Sequence, residues 1–290
     1  MSASIETGLE SAFRAVCRAA TISRGIQERI DIARLDKDDK SPVTVADLAV
    51  QSFLSGVLLG ISPDVPLMGE EGGGEVRSPE YAPLMSHVAE AVGAARKEAV
   101  SIEQATQWIE RGHHTINPDE RYWVLDPVDG TKGFLRKGQY AIALALIERG
   151  VILGGVLACP NLPGLFGEDD PSAGFVFVAA KGRGARMARI DRNGEPDSLE
   201  SVRVSDTADP ELGRWCERIE SSNSNQDHSA RIVEAAGLRH EPIRLDSQAK
   251  YAVVARGEVD IYLRHTLDPT YRECVWDHAA GAIVVEEAGG

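Results

Sequence analysis

Trp123-Val124-Leu125-Asp126-Pro127-Val128-Asp129-Gly130-Thr131-Lys132-Gly133-Phe134 is the stretch on which the reading of this chain turns. An apolar run of strand type, Tyr122 to Leu125, ends in a carboxylate, a proline and a second carboxylate, and Gly-Thr follows. Pro presets φ, and Asp and Gly close bends, so the spacing predicts a turn here. Such a turn holds two hard oxygen ligands three residues apart, with a hydroxyl beside them. Carboxylates suit Mg²⁺, and free backbone N–H groups at a turn suit an anion. Asp-Pro-Val-Asp-Gly is equally ordinary turn chemistry, and this stretch alone leaves both readings open.

Remote segments supply more acids of the same kind. Gly69-Glu70-Glu71-Gly72 places paired carboxylates in a Gly-rich loop after a predicted strand ending at Leu67-Met68. Trp276-Asp277-His278-Ala279-Ala280-Gly281 places an acid at the start of an apolar helical run, where it would also favour a helix N-terminus. Thr44-Val45-Ala46-Asp47 fits the [ST]-x-x-[DE] start signal, which predicts a helix to about Leu59 with Thr44 as N-cap and Asp47 as capping acid.

With Gly69-Glu70-Glu71, then Asp126-Pro-Val-Asp-Gly-Thr131, then Trp276-Asp277 before Ala279-Ala280-Gly281, in this order along the chain, the sequence resembles the phosphatases related to inositol monophosphatase. Within that superfamily, Asp129-Gly-Thr-Lys-Gly-Phe-Leu-Arg136, Gln139-Tyr-Ala-Ile-Ala-Leu-Ala-Leu146, Leu245-Asp-Ser-Gln-Ala-Lys-Tyr251 and Asp260-Ile-Tyr-Leu-Arg264 are similar to the 3′(2′),5′-bisphosphate nucleotidases. The similarity runs from about Ser41 onward and is weak over 75–120 and 168–191. It implies a layered αβαβα sandwich of mixed α+β and α/β character, with two lobes and a metal site in the cleft between them. The lobes are expected at 1–204 and 205–290. Relatives continue past the position of Gly289-Gly290 into further strands, which implies an open sheet edge in the second lobe.

The resemblance also implies a division of roles. Asp126 bridges two Mg²⁺ ions, Glu70 and the Val128 carbonyl complete the first site, and Asp129 and Asp277 complete the second. Asp47 faces the cleft and helps to order a third, weaker ion. Thr131 and Glu70 position and deprotonate a water, and backbone N–H groups of Gly130 and Thr131 hold the phosphate. Ser247, Lys250 and Arg264 meet the nucleotide and its second phosphate, although Lys and Arg are usually exposed surface charges. The implied reaction is hydrolysis of adenosine 3′,5′-bisphosphate to AMP and phosphate, with 3′-phosphoadenylyl sulfate as a second substrate and sensitivity to lithium. An inositol phosphate phosphatase is the alternative substrate class, and a nucleotide-binding sensor without catalysis is the alternative of another kind. Where relatives have a His-rich stretch near the base, this chain has Ser222-Asn-Ser-Asn-Gln-Asp-His228.

Bulk properties agree with a soluble, cytoplasmic enzyme. The chain has 290 residues, enough for two lobes around a cleft. Lys and Arg number 31 against 45 Asp and Glu, a net charge of −14, which argues against nucleic-acid or anionic-membrane partners but not against a phosphorylated small molecule. No apolar stretch is expected to approach the roughly 20 residues a spanning helix needs, and the N-terminus, with Glu6 and Glu10, is read as neither signal nor transit peptide. A monomer is expected. Cys17, Cys159, Cys216 and Cys274 have no Cys-x-x-Cys spacing and are read as reduced, packed thiols. His278 beside Asp277 is read as a packing or supporting residue, since Mg²⁺ prefers oxygen.

Along the chain, Ile5, Leu9, Phe13, Val16 and Ala20 recur at helical spacing. Asp36 to Lys40 reads as an exposed loop, Tyr81 to Glu110 as helix, and 117–120 as a turn. Tyr140 to Glu148 and Val151 to Ala158, split by Arg149-Gly150, read as a hairpin, and Phe175 to Ala180 as a strand before a turn at Lys181 to Gly184. Past Ser205 the expectation is strand 215–220, helix 226–236, strand 242–245, helix 247–255, strand 260–263 and helix 277–288.

Overall fold

The fold is that of a computed structural model describing residues 3–30, 41–72, 74, 76–117, 119–164, 174–219, 226–264 and 270–290. The charged run Asp36 to Lys40 and most of the Ser222–His228 segment lie outside the described residues.

Seven strands form one sheet in which spatial order follows chain order: β1 (Leu67–Gly69), β2 (Arg121–Asp129), β3 (Ala141–Glu148), β4 (Val151–Cys159), β5 (Gly174–Ala180), β6 (Ala185–Ile190) and β7 (Glu200–Val202). β1 and β2 pair parallel and the others antiparallel. The apolar runs of β2 to β5 lack polar alternation because both faces are covered. On β2 and β3, Trp123, Leu125, Ile142 and Leu144 join one buried cluster, while Val124, Ala141 and Ala143 join the other. That is the period of two of a pleated strand.

Helices α1 (Ala3–Arg29) and α2 (Ser41–Ile61) cover the first face, with α3 (Ala82–Arg96) and α4 (Ile102–Glu110) packed outside α2. A short helix, α5 (Thr131–Leu135), follows β2. A second, three-stranded sheet, ordered β10-β8-β9, contains β8 (Trp215–Glu217), β9 (Ile243–Arg244) and β10 (Ile261–Tyr262), all parallel. α6 (Gln226–Ala236) and α7 (Ala249–Ala255) are its crossovers. The two crossovers step in opposite directions from β8 to β9 and back past it, so right-handed connection sets them on opposite faces. α7 and α8 (Ala279–Glu287) fill the space between the two sheets. The layer order is therefore αβαβα. The chain passes between the sheets after Val202, close to the expected boundary, yet α7 and α8 bury Ala252, Val253, Ala280 and Ile283 in one cluster with Phe175 and Phe177 of the large sheet.

Four local expectations are corrected. β2 does not stop at Leu125 but runs on to Asp129 through a bulge: Asp126 lies opposite Ala143 and Asp129 opposite Ala141. Pro127 has no N–H for the ladder, which favours irregular pairing there. The turn comes one residue later, at Gly130 with φ 90°. α2 begins at Ser41 with Pro42 in its first turn, so Thr44 is not the N-cap and Asp47 is a buried residue inside the helix. The predicted helix over 81–110 is two helices, broken at Lys97 (φ 60°) and restarted by a Ser101–Gln104 capping box. Finally, Thr44–Ile61 of α2 is long and apolar enough, by length and composition, to cross a membrane, but 67% of it is buried inside the protein as a core helix.

The four cysteines are free, three of them buried and Cys274 exposed.

Candidate active site

The end of β1, the bulge of β2, the start of α5, the loop before α7 and the turn before α8 meet at one cavity of about 230 Å³. Glu70, Asp126, Val128, Asp129, Gly130, Thr131, Ser247, Lys250, Arg264 and Asp277 all line it. The structure thus gathers every predicted site residue except Asp47 at one cavity wall. Carboxylate oxygens of Asp126, Asp129 and Asp277 lie within 4.8 Å of one another. Glu70, whose backbone N–H extends the β1–β2 ladder to Leu125 O at 3.0 Å, shares a side-chain hydrogen bond with Asp126. Asp47 stands nearby, 4% exposed, with Glu70 and Glu71 as its charged neighbours.

This crowding is electrostatically unfavourable for the bare protein. Burial first, then the charges of Asp129 and Glu70, hold the Asp126 carboxyl well above the ordinary carboxylate range. Asp47 is raised likewise, by burial and then by Glu71 and Glu70. Glu70 is pushed up to about 7 by desolvation of its carboxyl; the Asp126 hydrogen bond opposes this, and Glu71, Asp129 and Asp277 add to it. Asp129 is raised by burial and eased downward by the Lys250 ammonium. Asp126 Oδ1 and Asp47 Oδ1 are buried with no hydrogen-bond partner. Buried orphan carboxylate oxygens in a converging all-oxygen set fit a hard divalent cation, which satisfies the lone pairs and reverses the local charge.

The phosphate side is built from backbone. Gly130 must be glycine: its φ is 90°, and a Cβ there would come 2.8 Å from Ser247 Cβ. Its turn starts α5 with an exposed Thr131. Across the cavity Ser247 takes φ 65°, and its Oγ accepts from Ala249 N at 3.1 Å. The N–H of Gln248 donates to Asp129 Oδ2 at 2.5 Å, while its side-chain Nε2 donates to Trp276 O at 2.9 Å. One residue therefore steadies Asp129 and the backbone beside Asp277.

Lys250 is no surface charge. It is 2% exposed, its Nζ donates to Leu245 O at 3.1 Å and Ser247 O at 2.6 Å, and it lies 5.4 Å from the Tyr262 ring centroid. Burial lowers it to about 8 against the opposing pull of Asp129. Arg264 donates to Asp277 Oδ2 at 3.2 Å and is paired with Glu273. His278 supports this group: it bonds Tyr251 OH through Nδ1 at 2.8 Å and Glu273 through Nε2 at 3.2 Å. The Glu273–Asp277–His278 cluster is thus tied up in hydrogen bonds and ion pairs.

Sequence reasoning missed Gln248, Arg218, Asp246 and Tyr271. Arg218 follows the C-terminal end of β8 and lines the cavity with no ion-pair partner among the described residues, as does the exposed ring of Tyr271. Asp246 sits on the wall with its carboxylate bound to Arg136 at 2.6 Å. Arg218, Asp246 and Gln248 share one signal, a position just past the ends of the second lobe's short parallel strands, where ligands of α/β sheets collect.

Over 322 residues the chain is 36% identical to the 3′,5′-bisphosphate nucleotidase AHL of Arabidopsis thaliana, covering 99% of this chain and 86% of that protein. It is 39% identical to the 3′(2′),5′-bisphosphate nucleotidase of Dictyostelium discoideum, covering 96% and 83%. Among solved structures, an inositol monophosphatase from Zymomonas mobilis superposes with a TM-score of 0.62 at 19% identity, covering 100% of this chain and 85% of that one. CysQ from Bacteroides thetaiotaomicron gives 0.60 at 20% identity, covering 98% and 87%, and both likenesses speak to the fold. The model of the Inositol monophosphatase family matches residues 6–290, and the chain belongs to that family.

Proposed function

We propose that the protein is a Mg²⁺-dependent phosphatase that removes the 3′-phosphate of adenosine 3′,5′-bisphosphate, leaving AMP, and that it also takes 3′-phosphoadenylyl sulfate. The observation that carries the reading is the convergence of Asp126, Asp129 and Asp277 with Glu70 in one cavity. The nucleotide class is supported by relatives named as bisphosphate nucleotidases. Sensitivity to lithium, a role in sulfur metabolism and action as a cytoplasmic monomer belong to the same proposal.

Two or three Mg²⁺ ions held by Glu70, Asp126, the Val128 carbonyl, Asp129 and Asp277, with Asp47 ordering the weakest, would supply Lewis-acid activation of water and neutralise charge on the leaving oxygen. The chain's own groups do the rest. The Gly130–Thr131 turn offers backbone N–H donors to the ester phosphate. The Thr131 hydroxyl and the Glu70 carboxylate orient a water, and the carboxylate accepts its proton. Lys250, Arg264 and Arg218 give the cavity positive charge for a second phosphate, while Ser247 shapes the wall opposite Gly130.

The test is phosphate release with Mg²⁺ across adenosine 3′,5′-bisphosphate, inositol 1-phosphate, inositol 1,4-bisphosphate and fructose 1,6-bisphosphate. The nucleotide is expected to have the highest kcat/KM, and faster turnover of an inositol ester would reject the nucleotide assignment. A second outcome concerns Lys250. An ammonium has three donors, and two of those on Lys250 are engaged by Leu245 O and Ser247 O. Lys250→Met is expected to raise KM for the bisphosphate about tenfold, with far less effect on a monophosphate ester. Equal changes for both esters would mean that Lys250 only braces its loop.

A further inference from the structure

We propose that Gln51 is a positioning residue for Glu70, and through it for the first cation of the site; this rests on the metal-dependent reading above. Gln51 lies in the middle of α2, one turn after Asp47, and is completely buried. A glutamine at such a place is out of keeping with an apolar core helix unless its amide is fully engaged. It is. Nε2 donates to Glu71 O at 2.9 Å and to Ile109 O at 3.2 Å, and Oε1 accepts from Glu71 N at 3.1 Å. Two carbonyls face the NH₂ and one N–H faces the oxygen, so only this amide orientation satisfies all three.

One side chain therefore takes both backbone polar groups of Glu71. Glu70, the preceding residue, is pinned from the opposite side by its own N–H to Leu125 O at 3.0 Å. The Glu70–Glu71 segment is clamped between α2 and β2, and the Glu70 carboxyl is left to meet Asp126. The surrounding backbone closes tightly on the amide. A Cβ on Gly69 would stand 2.3 Å from Gln51 Oε1, and one on Gly112 would stand 2.6 Å from Nε2. Gly69 N also donates to Gly112 O at 2.9 Å, which ties the loop to the end of α4. The same helix thus presents Asp47 to the acids directly and holds Glu70 through Gln51.

Residues that orient metal ligands without touching the ion typically change affinity or activity about 10–100-fold when lost. Gln51→Met keeps length and volume but removes all three hydrogen bonds. It is expected to weaken Mn²⁺ binding, followed by electron paramagnetic resonance without substrate, by about tenfold or more. The Mg²⁺ concentration for half-maximal activity should rise in step, kcat at saturating Mg²⁺ should fall far less, and amide exchange should quicken in peptides spanning 67–72 but not in β3 and β4. Gly112→Ala pushes on the same amide from outside while leaving its hydrogen-bonding groups in place, and should give a smaller shift in the same direction; it carries the test if Gln51→Met does not fold. Folded variants whose Mn²⁺ affinity and 67–72 exchange both match the parent would overturn the inference while leaving the phosphatase reading intact. A parent protein that binds no Mn²⁺ would instead bring down the metal reading and this inference with it.

Discussion

Asp126→Asn should lower phosphate release by about a thousandfold or more at saturating Mg²⁺, yet make the metal-free protein harder to unfold. Both effects come from one set of facts. Asp126 is 1% exposed, its Oδ1 has no partner, and Asp129, Glu70 and Asp47 crowd it with like charge. With a cation bound, the carboxylate would serve as one of its oxygen ligands, and an amide would not carry the charge that a hard ion needs. Without a cation the same carboxylate is a buried group crowded by like charge, with the Glu70 carboxyl as its hydrogen-bond partner. Removing its charge is expected to stabilise the chelator-treated protein by about 1 kcal/mol or more at alkaline pH. Urea unfolding in the presence of chelator measures the second effect, and phosphate release the first. A variant that is both inactive and less stable without metal would show that the carboxylate is held by protein partners instead.

The second large effect is in pH dependence. In the metal-free fold burial pushes the Glu70 carboxyl up to about 7 from an ordinary 4.5, and Asp47, Asp126 and Asp129 are raised as well. Between those two values the folded state binds more protons than the unfolded chain, so stability falls as pH rises. Below the ordinary carboxylate range this contribution is fully present; it is lost as pH rises through about 7, and the more strongly raised acids carry the decline further. Mg²⁺ opposes the decline, because ion binding keeps the carboxylates deprotonated and stabilises only the folded state. The melting temperature in chelator should therefore drop from mildly acidic to mildly alkaline pH. The increment on adding millimolar Mg²⁺ should be small at the acid end and largest at the alkaline end. Thermal unfolding along a pH series with and without Mg²⁺ reads both. Metal-free stability that climbs with pH, with no increment from Mg²⁺, would mean that these acids do not form a cation site.

The acids themselves were legible in the sequence because Glu70, Asp126, Asp129 and Asp277 each stand at the boundary of an apolar run beside small residues, and side-chain type alone announces oxygen ligands. The strands of the large sheet were legible for a similar reason: burial on both faces leaves continuous apolar runs at 141–148 and 151–159. What could not be read depends on partners far along the chain. Asp47 resembles a capping acid until Ser41 is seen to start the helix. Lys250 resembles a solvated charge until Leu245 O and Ser247 O are seen to receive it. Gln51 carries no local signal, since its meaning lies in Glu71 and Ile109. Strands β6 and β7 were missed because polar residues such as Arg186, Arg189 and Glu200 interrupt them at the sheet's exposed end.

The irregular pairing within β2 has a geometric result of its own. In a regular strand, side chains at odd separations point to opposite sides, so two acids three apart would be divided by the thickness of the sheet. Three residues, Asp126 to Val128, occupy the length that Ala143 and Ile142 span on the neighbouring strand, which shifts the parity by one. Asp126 and Asp129 consequently emerge on a common side, toward the turn that carries Asp277, while Val128 packs oppositely with Ala46 and Tyr140. The chain length between these two aspartates is therefore as binding a constraint as their identity: losing or gaining one position would keep both carboxylates in the sequence and send one of them into the apolar layer beneath α2.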